Sequence, residues 1–287
     1  MITNEREEEL AGLEKKVRGA FTDNMDLALF INRLLKLSDQ DNKDLIKEAM
    51  ATFFDMPNTF QMIKEYPNAE KIALPKAGEL KTPLGEALLQ RRSVREYSEE
   101  IMSLETFSSL LFYTYGVSLI MPAYHFLEFP LRTAPSSGGL AGVEMYVVVN
   151  RVEGLEKGVY HYNALSGSVE LLARGTLDGK LLEISVTEDQ DFISRAQVVV
   201  FLTLVMSRGV WKYFARYYRH AMVDAGCVTQ NVYLAATGLG LGACAIAGID
   251  EDRAAKLLQT DPDEIVVLAI SCGMPDKRYS LLGAKKK

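Results

Sequence analysis

WKYFARYYRHAMVDAGCVTQNVYLAATGLGLGACAIAG, residues 211 to 248, is the stretch from which the fold is read. Its first two thirds contain no proline, and Ala221, Ala225, Val228, Val232, Ala235 and Ala236 recur every three or four positions. That spacing is one apolar face of a long helix. The small side chains Ala221, Ala225, Gly226, Ala235 and Ala236 admit a second backbone at close range, as in a helix buried within a subunit or between two. Lys212, Arg216, Arg219 and His220 cluster early, with Gln230 and Asn231 later. Gly238, Gly240 and Gly242 supply the stop, because glycine takes left-handed backbone angles without a Cβ clash. Ala243 to Ile246 then reads as a strand returning to the core.

Working outward, the N-terminal 66 residues read as helices throughout. Leu10, Leu13, Val17 and Phe21 mark one, Leu27, Phe30, Ile31, Leu34 and Leu35 a second, and Leu45 to Phe54 a third. Tyr66 to Pro83 is the expected linker, so residues 1–78 form a helical extension and residues 79–287 the main domain. Within that domain helices are expected at Leu84–Leu89 and Leu104–Tyr113, the second capped by Ser103. Met121 to Leu140, aromatic and proline-containing, reads as a loop. Glu144–Asn150 is a strand, and Gly158–Tyr162 with Ser168–Leu172 make a hairpin. Leu177–Leu182 and Asp189–Arg195 are short helices, and Gln197–Met206 is a fully buried strand by its unbroken apolar run. Glu251–Leu258 (helix) and Glu264–Cys272 (strand) complete the order. Strands among helices without regular alternation imply an α+β fold with a mixed sheet.

Composition narrows the function. The 287-residue chain is 48% hydrophobic, enough for one good core with a helical annex. A net charge of −6 with no concentrated basic face argues against nucleic acid. The longest apolar run, Val198 to Met206, is too short to span a bilayer. The acidic start lacks an apolar signal region, so a cytoplasmic protein is expected. Cys227, Cys244 and Cys272 lack CxxC spacing and read as buried free thiols, while His125, His161 and His220 show no zinc spacing, so no metal is expected.

Four segments carry candidate chemistry. Arg91, Arg92 and Arg95 flank Ser93 at a helix end, and guanidinium forks with a hydroxyl can cradle a phosphate, although a solvated basic patch explains that segment alone equally well. The turn Pro135-Ser136-Ser137-Gly138-Gly139 offers backbone N–H groups and small hydroxyls to a planar ligand, or is simply a loop. Lys212 and Tyr213 can both move protons, or are ordinary side chains at a helix entrance. Gly238-Leu-Gly-Leu-Gly-Ala243 formally fits the dinucleotide fingerprint, but that motif follows a strand and opens a helix, the reverse of the order here.

Taken together, RRSVREY (91–97), RTAPSSGG (132–139), EMYVVVN (144–150), GVYHYN (158–163) and the KY…DAG…QN…LGLGA series (212–243) resemble the FMN-dependent nitroreductase superfamily. Within it they are most similar to SagB-type peptide dehydrogenases, which oxidise azoline rings in ribosomal peptides. The resemblance covers roughly Leu84 to Asp276. It implies a nitroreductase-like α+β fold and an intertwined homodimer with FMN at the interface. Carried over by position, Arg91, Arg92, Ser93 and Arg95 hold the phosphate and ribityl chain, with Arg278 or Lys277 adding to the phosphate. Pro135, Ser136, Ser137 and Gly138 lie along the isoalloxazine, and Ala247-Gly248 bring a backbone N–H to flavin N5. Lys212-Tyr213 is the catalytic pair. The implied partners are an azoline-containing peptide and a cyclodehydratase. One departure is Cys227, where the family often has histidine. An NAD(P)H-dependent nitro- or quinone reductase uses the same flavin site without the Lys-Tyr pair, and a flavin-binding partner subunit needs no turnover at all.

Overall fold

The computed structural model describes residues 4–21, 23–36, 44, 47, 56, 57 and 60–276. Among them, seven strands form one sheet in the spatial order β1-β6-β5-β4-β7-β9-β8. In chain order these are β1 (Glu70–Ala73), β4 (Val143–Val149), β5 (Gly158–Asn163), β6 (Ser168–Arg174), β7 (Val198–Val205), β8 (Gly242–Ile246) and β9 (Glu264–Gly273). Val143, Met145, Val147 and Val149 of β4 enter one core and Tyr146 and Val148 the other, while β7 divides its side chains the same way. Burial on both faces is what makes these strands read as unbroken apolar runs. Such a run reports burial but not direction. Every ladder in this sheet is antiparallel. The expected mixture reduces to isolated parallel bridges, Ser93 to Ala243 and Met102 to Val152.

Helices cover both faces, which establishes the α+β architecture. On one side lie α4 (Leu104–Tyr115) and α8 (Tyr217–Gly238), whose Leu110, Ala221, Ala225, Val228 and Val232 share a core with the sheet. Ser103 caps α4 as expected, accepting from Thr106 N at 3.1 Å. Opposite them, α5 (Asp178–Ile184), α6 (Phe192–Arg195) and α9 (Glu251–Leu258) contribute Leu181, Ile193 and Leu257 to the second core. Gly240 has φ +73 and turns the chain after α8. Gly242 has a different role, because a Cβ there would lie 2.5 Å from Val94 Cβ.

The helix expected to start at Trp211 is in fact two. Ser207–Tyr213 is a short helix (α7), Phe214–Arg216 is a 3₁₀ turn in which Phe214 has φ 52, and α8 begins at Tyr217. The fold-back has a packing cause. A Cβ on Gly209 would meet the Tyr217 ring at 2.1 Å, so the two are in close contact, and Tyr217 is fully buried. Residues eight apart in a continuous helix are separated by about 12 Å along the axis. Only a broken helix can bring Gly209 and Tyr217 together.

Three strands arise where a linker and a loop were expected. β1 falls inside the Tyr66–Pro83 segment and pairs with β6 at the sheet edge, on the N-terminal side of the 78/79 boundary. β2 (Val117–Ala123) and β3 (Phe126–Arg132) form a separate two-stranded sheet, joined by Tyr124 and His125 with φ 48 and 69. Before the sheet, α1 (Asn4–Ala20) and α2 (Asn24–Leu34) are helical, with Asp23 capping α2. α2 has no buried residue and is tied to the chain where Arg216 donates to Leu35 O and Arg219 to Asn32. Apart from Lys47, the third expected helix, Leu45–Phe54, lies outside the described residues, as do Lys277 and Arg278.

A buried polar network joins the sheet to α7. His161 sits between Glu144 (3.0 Å) and Glu170 (2.9 Å), and Glu144 also receives Arg208 of α7. Lys64 pairs with Glu264 at 2.5 Å and with Asp261 at 2.8 Å. Burial pulls the His161 pKa down, but hydrogen bonds and charge from Glu144 and Glu170 outweigh it and leave it raised.

Candidate active site

The side chains expected to carry chemistry gather at two places along α8. The first is the turn after β3. Gly138 there has φ +64, and a Cβ on it would lie 2.8 Å from the Tyr213 hydroxyl, 2.9 Å from Lys212 Nζ and 2.9 Å from the Tyr124 hydroxyl. The kink at Phe214 and the hairpin tip therefore deliver three polar groups from distant parts of the sequence to one glycine. Lys212 Nζ donates to the Tyr124 hydroxyl, which donates in turn to Gly138 O at 2.8 Å. The Tyr213 ring stacks on His220 at 4.8 Å and nearly parallel to Tyr217 at 6.2 Å. Burial, then the Arg216 charge, holds His220 below its ordinary pKa, so it meets Tyr213 as a neutral ring at neutral pH.

The serines of this turn look inward. Ser137 donates to Asp224 of α8 through both its backbone N–H (2.8 Å) and its hydroxyl (3.0 Å). Ser136 Oγ accepts from Ala141 N at 3.0 Å. Ser137 holds the turn against α8 and Ser136 closes the turn on itself, leaving exposed Pro135 and Gly138 as its outward surface. Burial raises the Asp224 pKa, opposed by the two Ser137 bonds.

The second place lies farther along the same helix. Ser93 meets the Tyr233 hydroxyl at 3.2 Å, and the Arg91 guanidinium stands 5.2 Å over the Tyr233 ring. Val94 N donates to Ala243 O at 2.9 Å, which fixes this segment to β8. Arg92 is exposed and donates to the carbonyls of Leu89 and Arg91, while Arg95 lies 5.7 Å over the Phe192 ring. Among the described residues no carboxylate forms an ion pair with Arg91, Arg92 or Arg95, unlike Arg151, Arg174, Arg195, Arg208 and Arg253. Three uncompensated guanidinium groups in an acidic chain fit an anion. Asp224 and Tyr233, the anchors of the two places, are nine residues apart and so about 13 Å along the helix axis. Ala247 and Gly248 are exposed in the loop after β8, where Gly248 O accepts from Val186 N.

A cleft at the start of α7, lined by Phe60, Lys64, Arg208 and Asp261, is a weaker candidate. Its Lys64 and Arg208 are already neutralised by Glu264, Asp261 and Glu144. Sequence reasoning missed Tyr124 and Asp224. Asp224 stands in the quoted DAG triplet and had a signal; Tyr124 lay in a stretch read as loop.

The nitroreductase family model matches residues 88–274. The chain belongs to the nitroreductase family. It is accordingly a nitroreductase-like oxidoreductase. A Methanocaldococcus jannaschii protein that carries the name of a nitroreductase is 31% identical over 200 residues, covering 70% of this chain and 95% of the relative. The microcin B17-processing protein McbC of Escherichia coli is 27% identical over 48% of this chain and 52% of its own length. The trifolitoxin-processing protein TfxB of Rhizobium leguminosarum is 28% identical over 56% of this chain and 44% of its own. The chain thus spans about half the length of these two family relatives. Among solved structures, an Anabaena variabilis protein named as a nitroreductase superposes with a TM-score of 0.62 at 26% identity, over 77% of this chain and 45% of that one. A chain of the E. coli microcin synthetase McbBCD complex with truncated pro-MccB17 bound superposes at 0.55 and 20% identity, over 74% of this chain and 80% of that one, sharing the nitroreductase fold. No helix of the described residues is long and apolar enough to cross a membrane.

Proposed function

We propose that this nitroreductase-family chain is an FMN-dependent azoline dehydrogenase, converting thiazoline or oxazoline rings of a ribosomally made peptide to thiazole or oxazole. The observation that carries this is the convergence of Lys212 and Tyr213 on Gly138. A reductase of nitro groups has no need of a lysine-tyrosine pair there. The reaction removes two hydrogens from the ring, a proton from Cα and a hydride equivalent from the neighbouring carbon. FMN supplies the two-electron acceptor when bound, which no side chain can do. The residues present fit it. Arg91, Arg92 and Arg95 match the phosphate in charge, with Ser93 beside them. Exposed Pro135 and Gly138 offer small groups, beside the Lys212 and Tyr213 side chains, to a flat ring system. Lys212 Nζ or the Tyr213 hydroxyl takes the Cα proton, and stacking on neutral His220 fixes the Tyr213 ring. The names of McbC and TfxB as peptide-processing proteins support a peptide substrate. A homodimer and a cyclodehydratase partner belong to the same proposal.

Lys212→Ala and Tyr213→Ala are the direct test. Each protein is expected to retain FMN while azole formation falls by about 10²–10⁴, the range for loss of general base catalysis. Full turnover in both rejects the reading. The M. jannaschii relative favours a second one, an NAD(P)H-dependent reductase. Rapid bleaching of the bound flavin by NAD(P)H, with both variants as fast as wild type, selects it.

A further inference from the structure

We infer that Tyr124 is a positioning residue for Lys212, holding its amine at the Gly138 turn; this rests on the proton-transfer role proposed above for the Lys-Tyr pair. Lysine carries its nitrogen on a flexible four-carbon stem and needs a tether to present it in one place. Tyr124 has the features of such a tether. It occupies the first position of the β2–β3 turn, and it and His125 both have positive φ, so its backbone direction is set. Its ring packs edge-on against Trp211 at 6.1 Å and tilted against Phe129 at 5.4 Å, which fixes the hydroxyl in space. That hydroxyl has one proton, and it goes to Gly138 O at 2.8 Å. Toward Lys212 it can therefore act only as an acceptor.

The consequence is directional. One N–H of the lysine amine is turned to Tyr124, which holds the nitrogen beside Gly138, where the Tyr213 hydroxyl also lies. Trp211, the residue before Lys212, packs against the same phenol, and the side chain is steered from both ends. Burial raises the Tyr124 pKa, which keeps the phenol protonated and its bond to Gly138 O intact across the working pH range. Tyr124 itself does not touch the reacting atoms in this scheme. It acts through Lys212.

The test is Tyr124→Phe in the FMN-loaded full chain. The ring and its packing remain, and an unchanged circular dichroism spectrum and flavin content check that they do. The first readout needs no turnover. Lysines are labelled with limiting acetic anhydride, and the Lys212 peptide is compared with the other lysine peptides by mass spectrometry. Lys212 labelling is expected to rise roughly two- to tenfold, the worth of one net hydrogen bond, with the others unchanged. An unchanged Lys212 rate overturns the tether. The second readout is kinetic. On an azoline peptide kcat is expected to drop about ten- to a hundredfold with KM near wild type, as for a slightly misplaced catalytic group. In a Lys212→Ala background Tyr124→Phe should then cost nothing further, because residues acting through one another are not additive. Additive losses overturn the inference. Should the wild type convert no azoline at all, the proposed reaction falls, while the labelling result still decides whether Tyr124 holds Lys212.

Discussion

A methyl group added at Gly138 would meet three polar atoms at once, the ends of the Lys212, Tyr213 and Tyr124 side chains. The lysine amine can swing aside, whereas both phenols are held by ring packing, so the backbone term sets the floor of the stability loss. Placing an L-residue at φ +64 costs about 1–2 kcal/mol. Gly138→Ala is therefore expected to lose at least that much in urea unfolding but to lose nearly all azole formation, since Lys212, Tyr213 and Tyr124 are displaced together. A variant that unfolds earlier yet keeps full turnover would separate Gly138 from the site. His161 is the opposite case, a residue whose work is structural. Its folded pKa is raised above the unfolded value of about 6.5, so the stability it contributes is complete below that pH and lost as pH rises through the folded value. Glu144 and Glu170 are lowered, Glu144 chiefly by Arg208 and Glu170 chiefly by its hydrogen bond from His161, in each case against burial. Their contribution is present above the ordinary carboxylate range and lost as pH falls through their folded values. The triad is thus strongest on the mildly acidic side of neutrality. At pH 6, His161→Gln should destabilise by about 3–5 kcal/mol, as for a broken buried ion pair. It should also abolish the fall in unfolding free energy that wild type shows above pH 6.5. A parallel pH dependence in both proteins would mean His161 does not titrate as described.

The break between α7 and α8 is the element on which the site depends, and it is held by contact rather than by a helix-breaking residue. A Cβ at Gly209 would enter the buried Tyr217 ring, which has nowhere to retreat, because its hydroxyl already fills the space a Cβ on Gly142 would need. Gly209→Ala is expected to destabilise by about 1–3 kcal/mol through overpacking. Its effect on turnover should exceed its effect on stability, since α7 carries Lys212 and Tyr213. Equal turnover in protein shown to be folded would disconnect the kink from catalysis. Nothing local in Tyr213-Phe214-Ala215 announces this break, which is why the apolar spacing reads as one helix. The same reasoning explains the other differences. Central strands such as Val198–Val205 were legible because both faces are buried, but their direction is decided by partners the run does not encode. The β2–β3 hairpin was hidden by Pro122 and Pro130 and by an exposed surface including Leu119, Ile120 and Leu127, so it lacks the alternation that marks a strand although Phe129 is buried. Tyr124 went unseen with it, because its meaning lies in Lys212, 88 residues away. The arginine trio and the Lys-Tyr pair, by contrast, lie close together in sequence and could be singled out as candidates directly.

On the scale of the whole molecule, one helix carries both halves of the candidate flavin site and, among the described residues, leaves a face uncovered. Ala221, Ala225 and Val228 of α8 are buried, but Gly226, one of the small residues expected to admit a second backbone, is exposed, and a Cβ there would meet nothing within 4 Å. Val223, 63% exposed, and Gln230 flank it along the same side. A helix in the middle of a chain that presents valine and glycine to water is well suited to meet a second copy, and glycine there permits close approach of the partner backbone. In the proposed homodimer the flavin would lie between the arginine segment of one copy and the Pro135–Gly138 turn of the other. Dimerisation and flavin retention should accordingly be lost together. Val223→Arg places a charge at this face without touching the core of its own chain. It is expected to sediment as a monomer and to emerge from purification with little flavin, while its secondary structure matches wild type. Because two facing copies would oppose like charges, Val223→Glu should do the same, and an equimolar mixture of the Arg and Glu variants should restore both dimer and flavin. A Val223→Arg protein that stays dimeric, or a monomer that keeps its full flavin, would place the interface elsewhere and confine the cofactor to a single chain.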